Sequence, residues 1–181
     1  AGRVFELEAD QGGVITGRLL EFDLNGEFEF PLLSGIRQKR IAVAGKADRI
    51  DLFDDGTIRV VDYKLGRLPD VKESVQIGVY AHCASQTLRT GDGEPRPIGA
   101  AMYLAFGDER RFEGPLGRRG ERPTAEVQMA AERFARTTDG IEAGTFPPRP
   151  RRPGECAWCG FSGVCRKEYV AEDDEPAAES V

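Results

Sequence analysis

Ile41 to Lys64 reads IAVAGKADRIDLFDDGTIRVVDYK. The stretch is rich in apolar and β-branched residues and is interrupted at Asp54-Asp55-Gly56, a hairpin signal. It predicts a strand over Ile41–Phe53, with Gly45 as a bend or bulge, and a second over Thr57–Lys64. The β-branched density of the second strand predicts a central position in its sheet. Side chains alternate along a strand, so Asp62 and Lys64 share a face and Tyr63 takes the other. A hairpin turning at 54–56 sets Asp48 opposite Asp62. Two carboxylates side by side repel each other unless a cation lies between them. Mg2+ suits that place, because it takes hard oxygen ligands and needs one or two carboxylates besides water and phosphate. Lys64 would then orient a water and counter the charge on a phosphorane, an electrostatic role favoured over free-base action. The competing reading is a surface ion cluster of Asp48, Asp62 and Lys64 with no metal.

Outward from this hairpin the pattern stays α/β. Val4, Phe5 and Leu7 read as β structure, as does VITGRLLEFDL after the polar turn at 10–13. Glu27-Phe28-Glu29-Phe30 alternates, with both Phe on one face. After a loop at Leu65–Pro69, Asp70 fits a helix N-cap with Glu73 as its capping-box partner, and the helix is expected to reach Thr90. Pro97–Phe106 returns as a strand, and 107–122 reads as a hairpin or a mobile loop. Val127, Ala130, Ala131 and Phe134 give helical spacing from Thr124 to about Ala143. A Pro-rich connector at 146–154 leads to the cysteines. The expected fold is an α/β mixed sheet flanked by helices, with a Cys-rich carboxyl-terminal segment.

The chain has 181 residues, 40% of them hydrophobic and 31% charged, which suits one domain with a buried core. We expect that domain over 1–170, with the Cys-rich segment 154–167 included and 171–181 as an acidic disordered tail. The net charge of −6 comes largely from that tail; without its five acids, 26 acidic residues face 25 basic ones. Arg110, Arg111, Arg118, Arg119 and Arg122 cluster, as do Arg149, Arg151 and Arg152. Such groups suit contact with a nucleic-acid backbone, and a solvated surface is the plainer reading. No apolar stretch is long enough for a membrane helix, and the opening residues lack a secretory signal, so a cytoplasmic protein is expected. Without an oxidising compartment, Cys156, Cys159 and Cys165 point to a metal or cluster rather than disulfides.

Together, Gly45-x-x-Asp48, Asp62-Tyr63-Lys64 and Gln76-x-x-x-Tyr80 resemble the PD-(D/E)XK nuclease superfamily, most closely its RecB-like branch. That branch includes the nuclease domains of bacterial helicase–nucleases and CRISPR-associated exonucleases. The resemblance implies a restriction-endonuclease-like fold and a metal-dependent deoxyribonuclease, an exonuclease by preference, with DNA and a helicase domain or subunit as partners. It implies that Asp48, Asp62 and the Tyr63 carbonyl hold Mg2+ or Mn2+. Lys64 is then the catalytic lysine, and Gln76 and Tyr80 look back at the site from one helix face. Asp51 points away from Asp48 and reads as structural, with Arg49 as a sheet-surface ion-pair partner. Glu27 and Glu29 are candidates for a supporting acid.

Cys156-x2-Cys159-x5-Cys165 resembles the cysteines that close a [4Fe–4S] cluster in iron–sulfur members of this branch. The fourth ligand is open. It lies upstream of Ala1, or is Cys83, or zinc replaces the cluster using Cys83 or His82, or the thiols are free. The family also begins with a helix that brings a histidine or acid to the metal, whereas 1–30 reads as strands, so a carboxyl-terminal fragment is expected. Two other function classes stay open: a catalytically inactive DNA-binding or scaffolding domain, and a zinc-stapled structural domain.

Overall fold

The computed structural model describes residues 13–32, 36–66, 68–69, 74–106, 111–116, 124–145 and 153–165. Among the described residues, seven strands and two α-helices follow in order: β1 (Ile15–Asp23), β2 (Gly26–Leu32), β3 (Arg37–Val43), β4 (Lys46–Phe53), β5 (Ile58–Lys64), α1 (Gln76–Thr87), β6 (Ile98–Ala105), β7 (Arg111–Leu116) and α2 (Thr124–Glu142). The chain divides into two compact units, one through Thr137 and one from Thr138.

In the first unit a five-stranded sheet runs β1-β4-β5-β6-β7, and β2 pairs with β3 in a separate two-stranded sheet. β5 and β6 are parallel, while the other neighbours in the five-stranded sheet are antiparallel. The sheet is therefore mixed, and a parallel pair needs a crossover, which α1 supplies. β5 sits in the middle, buried along Ile58–Asp62 on both faces. The single run expected over Ile41–Phe53 is instead two strands. It breaks at Ala44-Gly45, so β3 and β4 join different sheets. Within 107–122, Arg111–Leu116 pairs antiparallel with β6 as β7, and the rest of that segment lies outside the described residues.

The main core lies on the face of Ile50, Ile58, Val60 and Ala101, where Ile77, Ala81 and Ala84 of α1 and Val127, Ala131 and Ala135 of α2 pack against it. Gly78 faces Ala130, and any side chain there would strike the Ala130 methyl, so glycine sets how closely the helices approach. Phe28 and Phe30 of β2 point into this core while Glu27 and Glu29 stay exposed, as their alternation predicts. Gln86 of α1 brackets the Glu29 backbone, accepting its N–H at 3.0 Å and donating to its carbonyl at 2.9 Å. His82 Nε2 also lies 2.7 Å from that carbonyl, and burial lowers the imidazole pKa despite this bond. Cys83, fully buried on α1, has its thiol pushed up to about 12 by burial, in keeping with a packing role.

The helix expected from Asp70 begins at Gln76. The capping-box pair Asp70 and Glu73 lies outside the described residues. Arg49 is also corrected: it is 2% exposed, not on the sheet surface. Burial is tolerable because Asp51 on the same face takes hydrogen bonds from its Nε at 2.9 Å and Nη2 at 2.7 Å.

In the second unit, the α2 terminus closes through Thr145 N–H to Gly140 O at 2.8 Å, with Gly144 at φ 69, a left-handed stop that glycine adopts without strain. A 3-10 turn spans Pro153–Trp158. Val4, Phe5, Leu7, the connector at 146–152 and the tail at 171–181 lie outside the described residues.

Candidate active site

β4 and β5 bring the two acids together. The ladder pairs Leu52 with Ile58, Asp51 with Arg59, Ile50 with Val60 and Arg49 with Val61. One further step along this register sets Asp48 against Asp62. There the ladder ends, and the Asp48 side chain completes it: Oδ2 accepts the Tyr63 N–H at 2.7 Å. In extended backbone the N–H and C=O of one residue face the same strand edge, so the Tyr63 carbonyl is directed toward the Asp48 side. The Tyr63 ring lies on the other face, edge-on to Phe106 with centroids 5.4 Å apart.

Asp62 is 4% exposed. Lys64 Nζ forms an ion pair with its Oδ2 at 2.6 Å, and beyond that pair this buried oxygen has no partner. Burial pushes the Asp62 carboxyl above its ordinary range; Lys64 opposes the shift and the nearby Asp48 charge adds to it. Lys64 Nζ donates to Gln76 Oε1 at 3.0 Å and stands 5.5 Å from the centre of the Tyr103 ring. Its side chain is 26% exposed, so the amine reaches solvent.

Tyr80, one turn beyond Gln76, packs beside Gly45. A methyl group on Gly45 would stand 3.3 Å from Tyr80 Cε1 and 3.5 Å from its hydroxyl oxygen. The glycine of Gly45-x-x-Asp48 thus makes room for the aromatic ring of the helix motif.

These residues fit a divalent cation. The starved Asp62 Oδ2, the Asp48 carboxylate and the Tyr63 carbonyl are hard oxygen donors. They are too few to replace a full shell of water, as Mg2+ prefers. Among the described residues, no three His, Cys, Asp or Glu side chains gather as a metal-binding group.

The remaining expected site residues are not brought into this cluster. Glu27 and Glu29 belong to the other sheet and lie 3.9 and 3.5 Å from Arg40, so neither supports the acids. Arg111 opens β7 opposite Ala105. Arg110, Arg118, Arg119, Arg122, Arg149, Arg151 and Arg152 lie outside the described residues. In the second unit, the Cys159 N–H bonds Cys156 O at 3.3 Å and the Cys165 N–H bonds Phe161 O at 2.9 Å. The three thiols there are free, and their sulfurs do not form one ligand group.

Sequence reasoning passed over two features. Arg18, Arg49 and Arg59 converge on Asp51, behind the acids. Tyr103 lies beside Asp62 in the β5–β6 ladder, with its hydroxyl 2.6 Å from Ser74 Oγ. Alternation within AMYLAF could have shown that Tyr103 faces the core, but not which strand position it adjoins.

No helix among the described residues is long and apolar enough to cross a membrane. No curated protein matches the sequence. The chain is similar to the crystal structure of SSO0001 at 20% identity, over 91% of this chain and 68% of that one, with a TM-score of 0.44. The family model of the PD-(D/E)XK nuclease superfamily matches residues 3–166. By that match the chain belongs to the PD-(D/E)XK nuclease superfamily, whose members are nucleases that typically use Mg2+ or Mn2+.

Proposed function

We propose that this chain hydrolyses phosphodiester bonds in DNA, as an exonuclease of a RecB-like repair or CRISPR-associated system working with a helicase domain or subunit. Asp48, Asp62 and the Tyr63 carbonyl would hold Mg2+ or Mn2+. The observation that carries the reading is the buried Asp62 Oδ2, which has no hydrogen-bond partner although a second carboxylate and an amine lie beside it. A purely structural acid would have its oxygens satisfied.

When bound, the ion supplies Lewis acidity at the phosphate and makes a water more acidic. Lys64 acts beside it. Its ammonium has three donors; one goes to Gln76 and another faces Asp62. A third remains for the attacking water or a phosphoryl oxygen. Gln76 fixes the amine's direction, and Tyr80 packs beside Gly45. Arg110, Arg111, Arg118, Arg119, Arg149, Arg151 and Arg152 would grip backbone phosphates, a contact that weakens as salt rises.

A [4Fe–4S] cluster on Cys156, Cys159 and Cys165 belongs to this proposal by cysteine spacing alone, with zinc as the alternative. No catalytic step passes through it. The RecB-like and helicase assignments rest on motif likeness.

The test is cleavage of end-labelled single- and double-stranded DNA by the full chain with Mg2+ or Mn2+. Turnover is expected, and Lys64→Ala is expected to abolish it. Undiminished cleavage by that variant removes Lys64 from the mechanism. Salt-sensitive DNA binding without turnover in either metal would identify a catalytically silent DNA-binding domain instead.

A further inference from the structure

α1 begins without a cap of its own. Val75 occupies the N-cap position in right-handed helical geometry, and its side chain makes no capping hydrogen bond. The first amides of a helix have no partner within it and need an acceptor from elsewhere. The start of α1 is tied to the sheet instead by the Tyr103 hydroxyl of β6. That hydroxyl is hydrogen-bonded to Ser74 Oγ at 2.6 Å, just ahead of the helix.

Tyr103 is 0% exposed and adjoins Asp62 in the parallel ladder. Its ring flanks the Lys64 amine at 5.5 Å, a distance at which an aromatic face attracts a cation. Burial holds the phenol above its ordinary pKa, so it stays a neutral hydroxyl. One side chain therefore touches the amine with its ring and holds the start of α1 with its hydroxyl. Gln76, the acceptor for that amine, sits between Ser74 and Ile77.

We infer that Tyr103 is a positioning residue for the nuclease reaction, tying the start of α1 to β6 through Ser74 so that Gln76 holds the Lys64 amine in its working direction. The inference rests on the role given to Lys64 above. Without the hydroxyl, Ser74 loses its tie to the sheet and the first turn of α1 loosens. Gln76 Oε1 then leaves Nζ, and the amine keeps only its ion pair with Asp62 Oδ2 at 2.6 Å. An amine locked in that ion pair is lost to the phosphate.

Tyr103→Phe keeps the buried ring and removes only the hydroxyl. With Mn2+ and a fluorescent single-stranded oligonucleotide, the full-length variant should lose about 10-fold in kcat, the effect of one misplaced hydrogen bond, with KM within about 2-fold. Gln76→Ala should show a similar loss. The double variant should be no slower than Gln76→Ala alone, because both changes act through one contact. Ser74→Ala, which leaves the core intact, should move kcat the same way, and Ser74→Thr should restore it. Without metal, hydrogen exchange at the Val79 amide, which closes the first turn of α1 on Val75 O at 2.9 Å, should quicken in Tyr103→Phe while the amides of Val127–Ala135 keep their protection. An active wild type with unchanged kcat in Tyr103→Phe, full additivity in the double variant, or unchanged Val79 protection would each overturn the positioning role. A wild type that cleaves no DNA with either metal would sink the nuclease reading and this inference with it.

Discussion

Asp51 and Asp62 sit on adjacent strands, on opposite faces of one sheet, and are 0% and 4% exposed. Asp51 accepts hydrogen bonds from Arg18 at 2.7 Å, from Arg49 at 2.9 and 2.7 Å and from Arg59 at 3.0 and 2.7 Å. Burial alone would raise its carboxyl, but the hydrogen bonds from Arg49, Arg59 and Arg18 together hold it below the ordinary range. Asp62 has another carboxylate close by and a buried oxygen whose one partner is the Lys64 amine at 2.6 Å, and its carboxyl is raised. The same residue type at similar depth is thus saturated on one face and starved on the other. Saturation builds the sheet; the unmet demand on the other face is what an ion and a phosphate would meet.

The two aspartates should separate cleanly under one substitution. Asp62→Asn should reduce DNA cleavage by about 10^3-fold or more, by analogy with losing a group that stabilises transition-state charge. Its folding stability should stay level or rise by about 1 kcal/mol, because a poorly compensated buried charge is gone. Asp51→Asn should do the reverse in kind, costing about 3–5 kcal/mol because three guanidiniums lose their shared anion. Denaturant melts and turnover assays on both variants decide the matter. A large stability loss in Asp62→Asn would make it a structural residue after all.

Acidification should distinguish them more gently. The folded pKa of Asp51 lies below its unfolded value of 3.8. Its contribution is therefore complete above pH 3.8 and is lost as pH falls through the folded value. The folded pKa of Asp62 lies above 3.8. Its penalty is present at neutral pH and is relieved as pH falls through that raised value. Mg2+ held by Asp62 should raise stability at neutral pH, by about 2.7 kcal/mol at a hundredfold excess over its dissociation constant. That gain should fade as Asp62 takes up its proton, and it should vanish in Asp62→Asn. Thermal melts with and without Mg2+ across this range read the effect; a gain that survives in the variant places the ion elsewhere.

The smallest expected effect lies where β4 begins. Gly45→Ala must displace the Tyr80 ring by a few tenths of an ångström. A cost of about 1 kcal/mol is expected in a denaturant melt, at the low end for overpacking. No change would show that the ring has room to spare, leaving the starved site less tightly enclosed than the saturated one.

Much of the starved side was legible in the sequence. Alternation placed Asp62 with Lys64, the Asp54-Asp55-Gly56 turn fixed the register, and the spacing from Gln76 to Tyr80 set both on one helix face. Each is a local rule acting over a few residues. The saturated side was harder to read. Arg49 resembled a surface residue because charged side chains usually are, and its burial depends on Asp51 being shared with Arg59 and Arg18 from two other strands. The start of α1 was misplaced for a related reason. Asp70 and Glu73 offered a local capping pattern, whereas the tie that holds Ser74 ahead of α1 comes from Tyr103, far along the chain. The break at Gly45 was visible as a bend, but its division of one run between two sheets depends on which strands are available to pair.

The parallel pairing of β5 with β6 also orders events in time. Asp48 reaches the Tyr63 amide across 15 residues of chain, within a tight hairpin, while Tyr103 meets Ser74 across 29. Closing the longer crossover loses more chain entropy before any contact rewards it. A refolding chain is therefore expected to bring its acids together before it steadies its amine, with about 0.6 kcal/mol of loop-closure cost between the two events.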